Sequence, residues 1–252
     1  RYLPTSPQCK LDPHIYEMVL YEFLQREPEN FLKIIKEWSP SLYNVNAITN
    51  AVMDKVIRPS ELKNDLLESL AILYTHSRQY DKALNIYLKL KHKDAFKLIE
   101  THKLFNNVSH EIENLMELDS NRAINMFMKK ETIPVDTIVS NLQCNQYYLY
   151  LYLDALHTRE FNITGRKYHA QLVKLYANFA PHKLLPLLRR SNSYPIQEAL
   201  SICKERNLFK ETVYLLGLIG NTKEALQLLM NKIGDMEQAI DFCKERNDPE
   251  LW

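Results

Sequence analysis

The sequence predicts an all-α chain built as a helical-hairpin solenoid. Three observations carry that expectation. The apolar residues follow a helical period almost throughout, the 252 residues include only four glycines, and one five-residue pattern opening on alanine recurs six times. Average glycine usage of about 7% would give roughly eighteen. The shortage excludes Gly-rich phosphate loops and disfavours an all-β chain, whose tight turns need residues with positive φ.

The elements follow in order. Pro13 opens a first helix in which Ile15, Met18, Val19, Glu22 and Phe23 keep the i, i+3, i+4 spacing. Pro28 starts the next, with Phe31, Ile34, Ile35 and Trp38 on one face, and Ser39-Pro40 ends it. Further helices are expected near 44–57, 61–77, 79–90, 92–102, 106–116, 119–130, 134–142 and 144–158. The remainder fall near 166–180, 181–190, 195–206, 208–219, 221–233 and 235–246. The tyrosines of 146–153 raise strand propensity, but turn signals are missing and the segment reads as helix. Pro59, Pro134, Pro181, Pro195 and Pro249 punctuate the pattern between helices. Asp119-Ser120 and Asn221-Thr222 are expected caps, and Gly220 a C-terminal one. Short connections make consecutive helices antiparallel neighbours.

The repeat is alanine, apolar, polar, apolar, apolar. It begins at Ala83, Ala95, Ala123, Ala199, Ala225 and Ala239. Ala83 lies 40 residues before Ala123, and Ala199 lies 40 before Ala239. Residues 196–207 and 236–247 agree at six of twelve positions, among them Cys203 and Cys243 and the run Lys-Glu-Arg-Asn. On a helix these positions form one broad apolar face. Alanine lets a neighbouring helix approach closely, and the larger residues fill the groove beside it. A hairpin cannot bury such a face alone, whereas stacked hairpins bury it continuously. A period near 40 excludes 34-residue tetratricopeptide units and fits HEAT-like or clathrin-heavy-chain-type units. The expected organisation is one solenoid over 1–252, clearest at 79–130 and 195–252, with no linker separating domains. Lacking an initial Met and ending at Trp252 in an unfinished motif, the chain reads as a piece of a longer protein.

Charge and cysteine usage narrow the role. Lys plus Arg is 32 against 31 Asp plus Glu, which disfavours a nucleic-acid partner. The four cysteines are scattered without a CxxC pair, which points to a reducing, intracellular compartment and no zinc ribbon. No run reaches the roughly 18 apolar residues of a membrane span. Catalytic frames such as GxSxG and HExxH are missing, so no enzyme activity, cofactor or metal is expected.

Several segments resemble a known family. They are Leu11-Asp-Pro-His-Ile-Tyr-Glu-Met-Val-Leu, Leu42-Tyr-Asn, the run from Tyr80 to Asp94, Arg166-Lys-Tyr-His, Leu184-Leu-Pro-Leu-Leu-Arg and the repeats from Ala199 to Pro249-Glu-Leu-Trp. Together they resemble the vacuolar protein sorting-associated protein 41 family, clathrin-heavy-chain-repeat subunits of the HOPS tethering complex. The likeness covers most of the chain and is weakest over 106–165. It implies a right-handed, tetratricopeptide-like superhelix, with an N-terminal β-propeller and, in many animal members, a C-terminal RING in the whole protein, neither of them expected in this chain. It implies a non-catalytic scaffold for docking and fusion at late endosomes, lysosomes or vacuoles, and autophagosomes. The implied location is cytoplasmic and peripheral on those membranes. The implied partners are the other HOPS subunits, late-endosomal Rab or Arf-like GTPases, and an adaptor complex. A self-associating coat-like solenoid is the second expectation, and a helical lipid-binding domain or enzyme the third.

Several residue groups are candidate sites. Lys89, Lys91, Lys93, Lys97 and Lys103 form the densest basic stretch, a candidate for an acidic partner or anionic membrane surface, with a solvated helix face as the plainer reading. His76, His92, His102 and His110 could line a pocket, though surface or satisfied core histidines are commoner. Cys203 and Cys243 read as core filling. Tyr147, Tyr148, Tyr150 and Tyr152 make a helix apolar on both sides, expected to be buried.

Overall fold

The computed structural model describes residues 4, 10–57, 63–105, 108–129, 133–159, 166–234, 237, 239–240 and 243–244. Expectations for 235–246 and for Pro59, Pro249 and Trp252 fall wholly or largely outside them. The described residues are all-α, with no strand among them, and form helical-hairpin layers of a solenoid. They divide into two compact units, Arg1–Asn141 and Leu142–Trp252.

The first unit runs α1 (Pro13–Arg26), α2 (Pro28–Glu37), α3 (Val45–Ile57), α4 (Lys63–His76), α5 (Tyr80–Lys89), α6 (Asp94–His102), α7 (Ile112–Leu118), α8 (Ser120–Phe127) and α9 (Val135–Leu142). Three of the starts have a side-chain cap. The Asp12 carboxylate accepts the His14 N–H at 2.9 Å, and Pro13 needs no partner there. Asn44 Oδ1 caps α3 by accepting from the N–H groups of Asn46 and Ala47. Asp119 accepts the Arg122 N–H at 3.1 Å and starts α8 as expected. Packing is layered: α1 touches α2 and α3, α2 touches α4, α5 touches α6 and α7, and α6 touches α8. A helix that contacts its successor and the helix after that is the pattern of stacked hairpins.

The second unit runs α10 (Gln146–Arg159), a 3-10 turn (Arg166–Tyr168), α11 (His169–Phe179), α12 (Pro181–Arg190), α13 (Ile196–Glu205), α14 (Phe209–Ile219) and α15 (Thr222–Leu228), which closes in a π turn (Leu229–Ile233). Here too α11 touches α12 and α13, and α12 touches α14. Pro186 lies inside α12 but faces solvent, where the missing N–H bond leaves nothing buried unsatisfied.

Three expectations change. The buried face of α1 is Tyr16, Leu20 and Leu24, whereas Ile15 and Met18 are exposed, Met18 by 67%. The helix is apolar on two sides, and Tyr16 decides which packs. Its ring meets Trp38 edge-on at 5.4 Å and its hydroxyl donates to the Pro4 carbonyl. The helix expected at 106–116 is Ile112–Leu118, because Val108 is buried from a turn rather than from a helix. Asn221 does not cap α15 with its side chain, which donates to Glu224 Oε2 instead.

Helix ends share one device that the sequence hides. Arg78, Lys91 and Lys103 follow α4, α5 and α6 with φ of 59°, 51° and 52°, and Asn207 follows α13 with φ of 56°. Gly220 and Gly234 take the same left-handed conformation at 86° and 72°. After each of the first five, the next N–H bonds back five residues: Gln79 to Tyr74, His92 to Tyr87, Leu104 to Ile99, Leu208 to Cys203, and Asn221 to Leu216. This is the Schellman closure, and glycine is its preferred occupant because it has no Cβ penalty. Lys103→Gly is therefore expected to raise stability by about 1 kcal/mol. A denaturant midpoint that stays put or falls would refute the assignment of strain at that position.

Candidate functional site

The repeat alanines converge on the interior. Ala83, Ala95, Ala123, Ala199, Ala225 and Ala239 are all at most 4% exposed. Cys203 and Cys243 are buried beside them. Burial, with a lesser push from Glu211, raises the Cys203 thiol to about 12, so it stays protonated and unreactive at neutral pH. The described Cys144 is exposed. Among the described residues no group of His, Cys, Asp and Glu could hold a metal ion, and no helix is long and apolar enough to cross a membrane.

The five lysines of the basic stretch do not act as one patch. Lys91 Nζ sits 2.5 Å from Glu117 on α7, and Lys93 Nζ lies 3.8 Å from Asp119 at the start of α8. Those two charges are answered within the fold, as solvated links between hairpins. Lys89 is exposed beside the Lys91–Glu117 pair, in a groove between α5 and α7. Among the described residues no carboxylate pairs with Lys97 or Lys103; Lys97 lines a second cleft and Lys103 caps α6.

That second cleft, of about 240 Å³, lies across α4, α5 and α6 and is lined by Thr75, His76, Tyr87, Asp94, Lys97 and His102 among others. It unites two of the four histidines singled out from the sequence. The His102 ring stacks on Tyr80 with centroids 4.0 Å apart, which ties the end of α6 to the start of α5. His92 sits between Glu68 at 3.8 Å and Asp94 at 3.5 Å. His110 is exposed and is not among the residues lining the cleft.

A polar cluster that the sequence did not reveal ties α10, α11 and α12 together. The Asp154 carboxylate accepts from the Tyr176 hydroxyl at 2.7 Å and from Lys183 Nζ at 2.8 and 2.9 Å. Next to it the His157 ring meets His169 edge-on at 5.2 Å, and His169 Nδ1 shares a hydrogen with the Ser191 hydroxyl. The hydrogen-bonded partners lie 22 to 29 residues apart, so no local motif marks them. The tyrosine cluster splits. Tyr152 is buried, while Tyr147 is 51% exposed and meets Phe179, itself 40% exposed, at 5.7 Å. The helix is thus half in the core, against the expectation of full burial.

The family model described as the Vps41 TPR-like region matches residues 1–252, the whole chain. The chain belongs to the Vps41 TPR-like family. Curated relatives agree. The mouse vacuolar protein sorting-associated protein 41 homolog is 42% identical over all of this chain, and the Arabidopsis thaliana homolog 32%. The Schizosaccharomyces pombe protein of that name is 30% identical. The chain spans 29% of the mouse relative's length and 30% of the yeast one's. No solved structure matches.

Within this Vps41 TPR-like region two histidines are held towards the neutral form. Burial holds His76 below the usual imidazole range. Burial, then Arg190 and, more weakly, Lys183, hold His157 down against the opposing pull of Asp154. A histidine depressed in the folded state contributes fully above its unfolded pKa of about 6.5, and that contribution is lost as pH falls below it. Thermal melts are therefore expected to be level above about pH 7 and to drop towards about pH 5.5. A melting temperature that climbs over that interval would contradict both assignments.

Proposed function

We propose that this solenoid is the non-catalytic interaction scaffold of a HOPS membrane-tethering subunit, acting in vesicle docking and fusion at late endosomes, lysosomes or vacuoles, and autophagosomes. The observation that carries the reading is the family match along the whole chain, to relatives named for vacuolar protein sorting. The architecture supports it. Within each unit hairpins stack over buried repeat alanines, an architecture that offers extended surface to partners. On this reading the partners are the other HOPS subunits, with late-endosomal Rab or Arf-like GTPases and an adaptor complex reached through the full-length protein. The protein is cytoplasmic and peripheral on those membranes, takes no cofactor and contacts no nucleic acid.

The test is capture of each recombinant HOPS subunit by the immobilised 252-residue chain. Retention of at least one, lost when the chain is heat-denatured, is expected; failure to retain any would overturn the scaffold assignment for this region. Sedimentation over a range of concentrations separates it from the coat-like alternative, because a purely heteromeric scaffold keeps a constant mass when alone.

A further inference from the structure

At the joint between α12 and α13 a sequence pattern and a local shape meet on one residue. Among the 252 residues a single arginine stands three positions before a serine or threonine: Arg190, before Ser193, with Arg189 doubling the charge. Arginine-directed protein kinases select substrates by that spacing, which sets a basic side chain against acidic groups of their groove. Residues 191–195 are not helical, and Ser191 is extended, with φ of −123° and ψ of 141°. Arg189, Arg190, Asn192 and Ser193 are exposed. The loop is held from beneath, where the hydroxyl of buried Tyr194 donates to the Leu188 carbonyl at 2.9 Å. Ser193 therefore stands outward on an anchored loop, and among the described residues its hydroxyl has no hydrogen-bond partner. Elsewhere Ser69, Thr75, Ser140, Thr158 and Thr212 sit in helices and donate to carbonyls one turn back. That arrangement withholds both backbone and hydroxyl from a groove that binds extended peptide.

The same joint touches the polar cluster of α10, α11 and α12. The Ser193 N–H donates to Ser191 Oγ at 3.1 Å, and that oxygen shares a hydrogen with His169 Nδ1 at 2.5 Å. His157 of α10 meets His169 and Tyr176 of α11 edge-on. Arg190 and Lys183 of α12 act on it by charge, as does Asp154 on its own helix. Arg190 thus belongs both to the recognition spacing and to the surroundings of the cluster. A phosphate on serine carries about −1.5 to −2 charges at neutral pH. On Ser193 it stands three residues from Arg190 and two before Pro195, the N-cap of α13, a helix without a side-chain cap. The guanidinium and the first N–H groups of α13 are its natural donors. Glu198 is the acidic residue of that first turn, and Lys174 answers it at 3.4 Å.

We propose that Ser193 is a phosphorylation site for an arginine-directed serine/threonine protein kinase, and that its phosphate offsets the charge Arg190 exerts on the α10–α12 cluster. Ser193 Oγ attacks the γ-phosphorus of ATP, the bond from that phosphorus to the β–γ bridging oxygen breaks, ADP leaves, and the hydroxyl proton passes to the catalytic carboxylate of the kinase. The inference takes from the scaffold reading only the cytoplasmic location, where such kinases act. Its test uses purified components and is independent of subunit capture, so either can fail alone.

The full 252-residue chain is incubated with activated calmodulin-dependent protein kinase II and magnesium ATP, and the phosphate is located by mass spectrometry. Incorporation at Ser193 of the folded chain is expected. Ser193→Ala should abolish it and Arg190→Gln should slow it roughly tenfold. Ser39→Ala, at an exposed serine with Lys36 three positions before it, should leave the rate unchanged. Circular dichroism checks the fold of each variant, and both Arg190 and Ser193 are exposed, away from the core. No phosphate on Ser193, phosphate that enters only after heat denaturation, or a rate unmoved by Arg190→Gln would overturn the site. Proton NMR of the His157 ring tests the link to the cluster. Arg190 helps to hold that imidazole down, so phosphorylation of Ser193 should raise its titration midpoint, as Arg190→Gln should in the unmodified chain. A midpoint that phosphorylation leaves in place or lowers would overturn the link.

Discussion

Phe96→Ala is expected to destabilise the first unit by about 3–5 kcal/mol. Phe96 follows the repeat alanine Ala95 on α6 and is 0% exposed. The guanidinium of Arg122, on α8, lies 5.2 Å from its ring centroid, so the aromatic body fills the layer and its face meets a cation from the next hairpin. Truncation removes the transfer energy of the ring and leaves a void that closes only in part, because the surrounding core is close-packed. The denaturant midpoint should fall, and amide exchange should accelerate through α5 to α8 while α11 to α14 keep their protection. A loss below about 1 kcal/mol would show that the hairpins slide together to fill the hole.

Asp154→Ala should cost the second unit about 2–3 kcal/mol. Two groups lose their acceptor at once: the hydroxyl of Tyr176, a residue 2% exposed, and the ammonium of Lys183. The pair is partly solvated, with side-chain exposures of 21% for Asp154 and 39% for Lys183, which places the cost below that of a fully enclosed ion pair. The direction of ionisation agrees. Burial first, then the bond to Asp154, raises the Tyr176 phenol well above its ordinary value, and the same carboxylate raises Lys183. Asp154→Asn keeps an acceptor for Tyr176 and should lose roughly half as much. Equal stability of the alanine variant and the parent would mean that water replaces the carboxylate without loss.

The helical class and most helix positions were legible because one alanine-centred pattern repeats and prolines mark the joints. Pro13, Pro28 and Pro181 each occupy the first helical turn. The tyrosine-rich segment formed α10 despite its strand propensity, since Leu149, Tyr152, Leu153 and Leu156 present one buried face at helical spacing. What escaped has physical causes. The packing side of α1 depended on Trp38, which closes the following helix α2 and is distant from Tyr16 in sequence. Lysine and arginine announce no turn, so the left-handed closures at Arg78, Lys91 and Lys103 were invisible where that at Gly220 was not. Division of the basic stretch into answered and unanswered charges required knowing which carboxylates stand opposite. Asp154, Tyr176 and Lys183 meet only through the stacking of three helices.

Among the described residues, the main contacts within each unit join a helix to the next one or to the one after that. Tension applied to the ends of such a stack is borne in series, and no single interface holds the whole together. Layers should therefore yield one after another, each lengthening the chain by a few nanometres and each able to re-form when the load drops. A unit so built behaves as a compliant spring with many small, reversible extensions, where a cooperatively packed domain of the same size would hold rigid and then rupture.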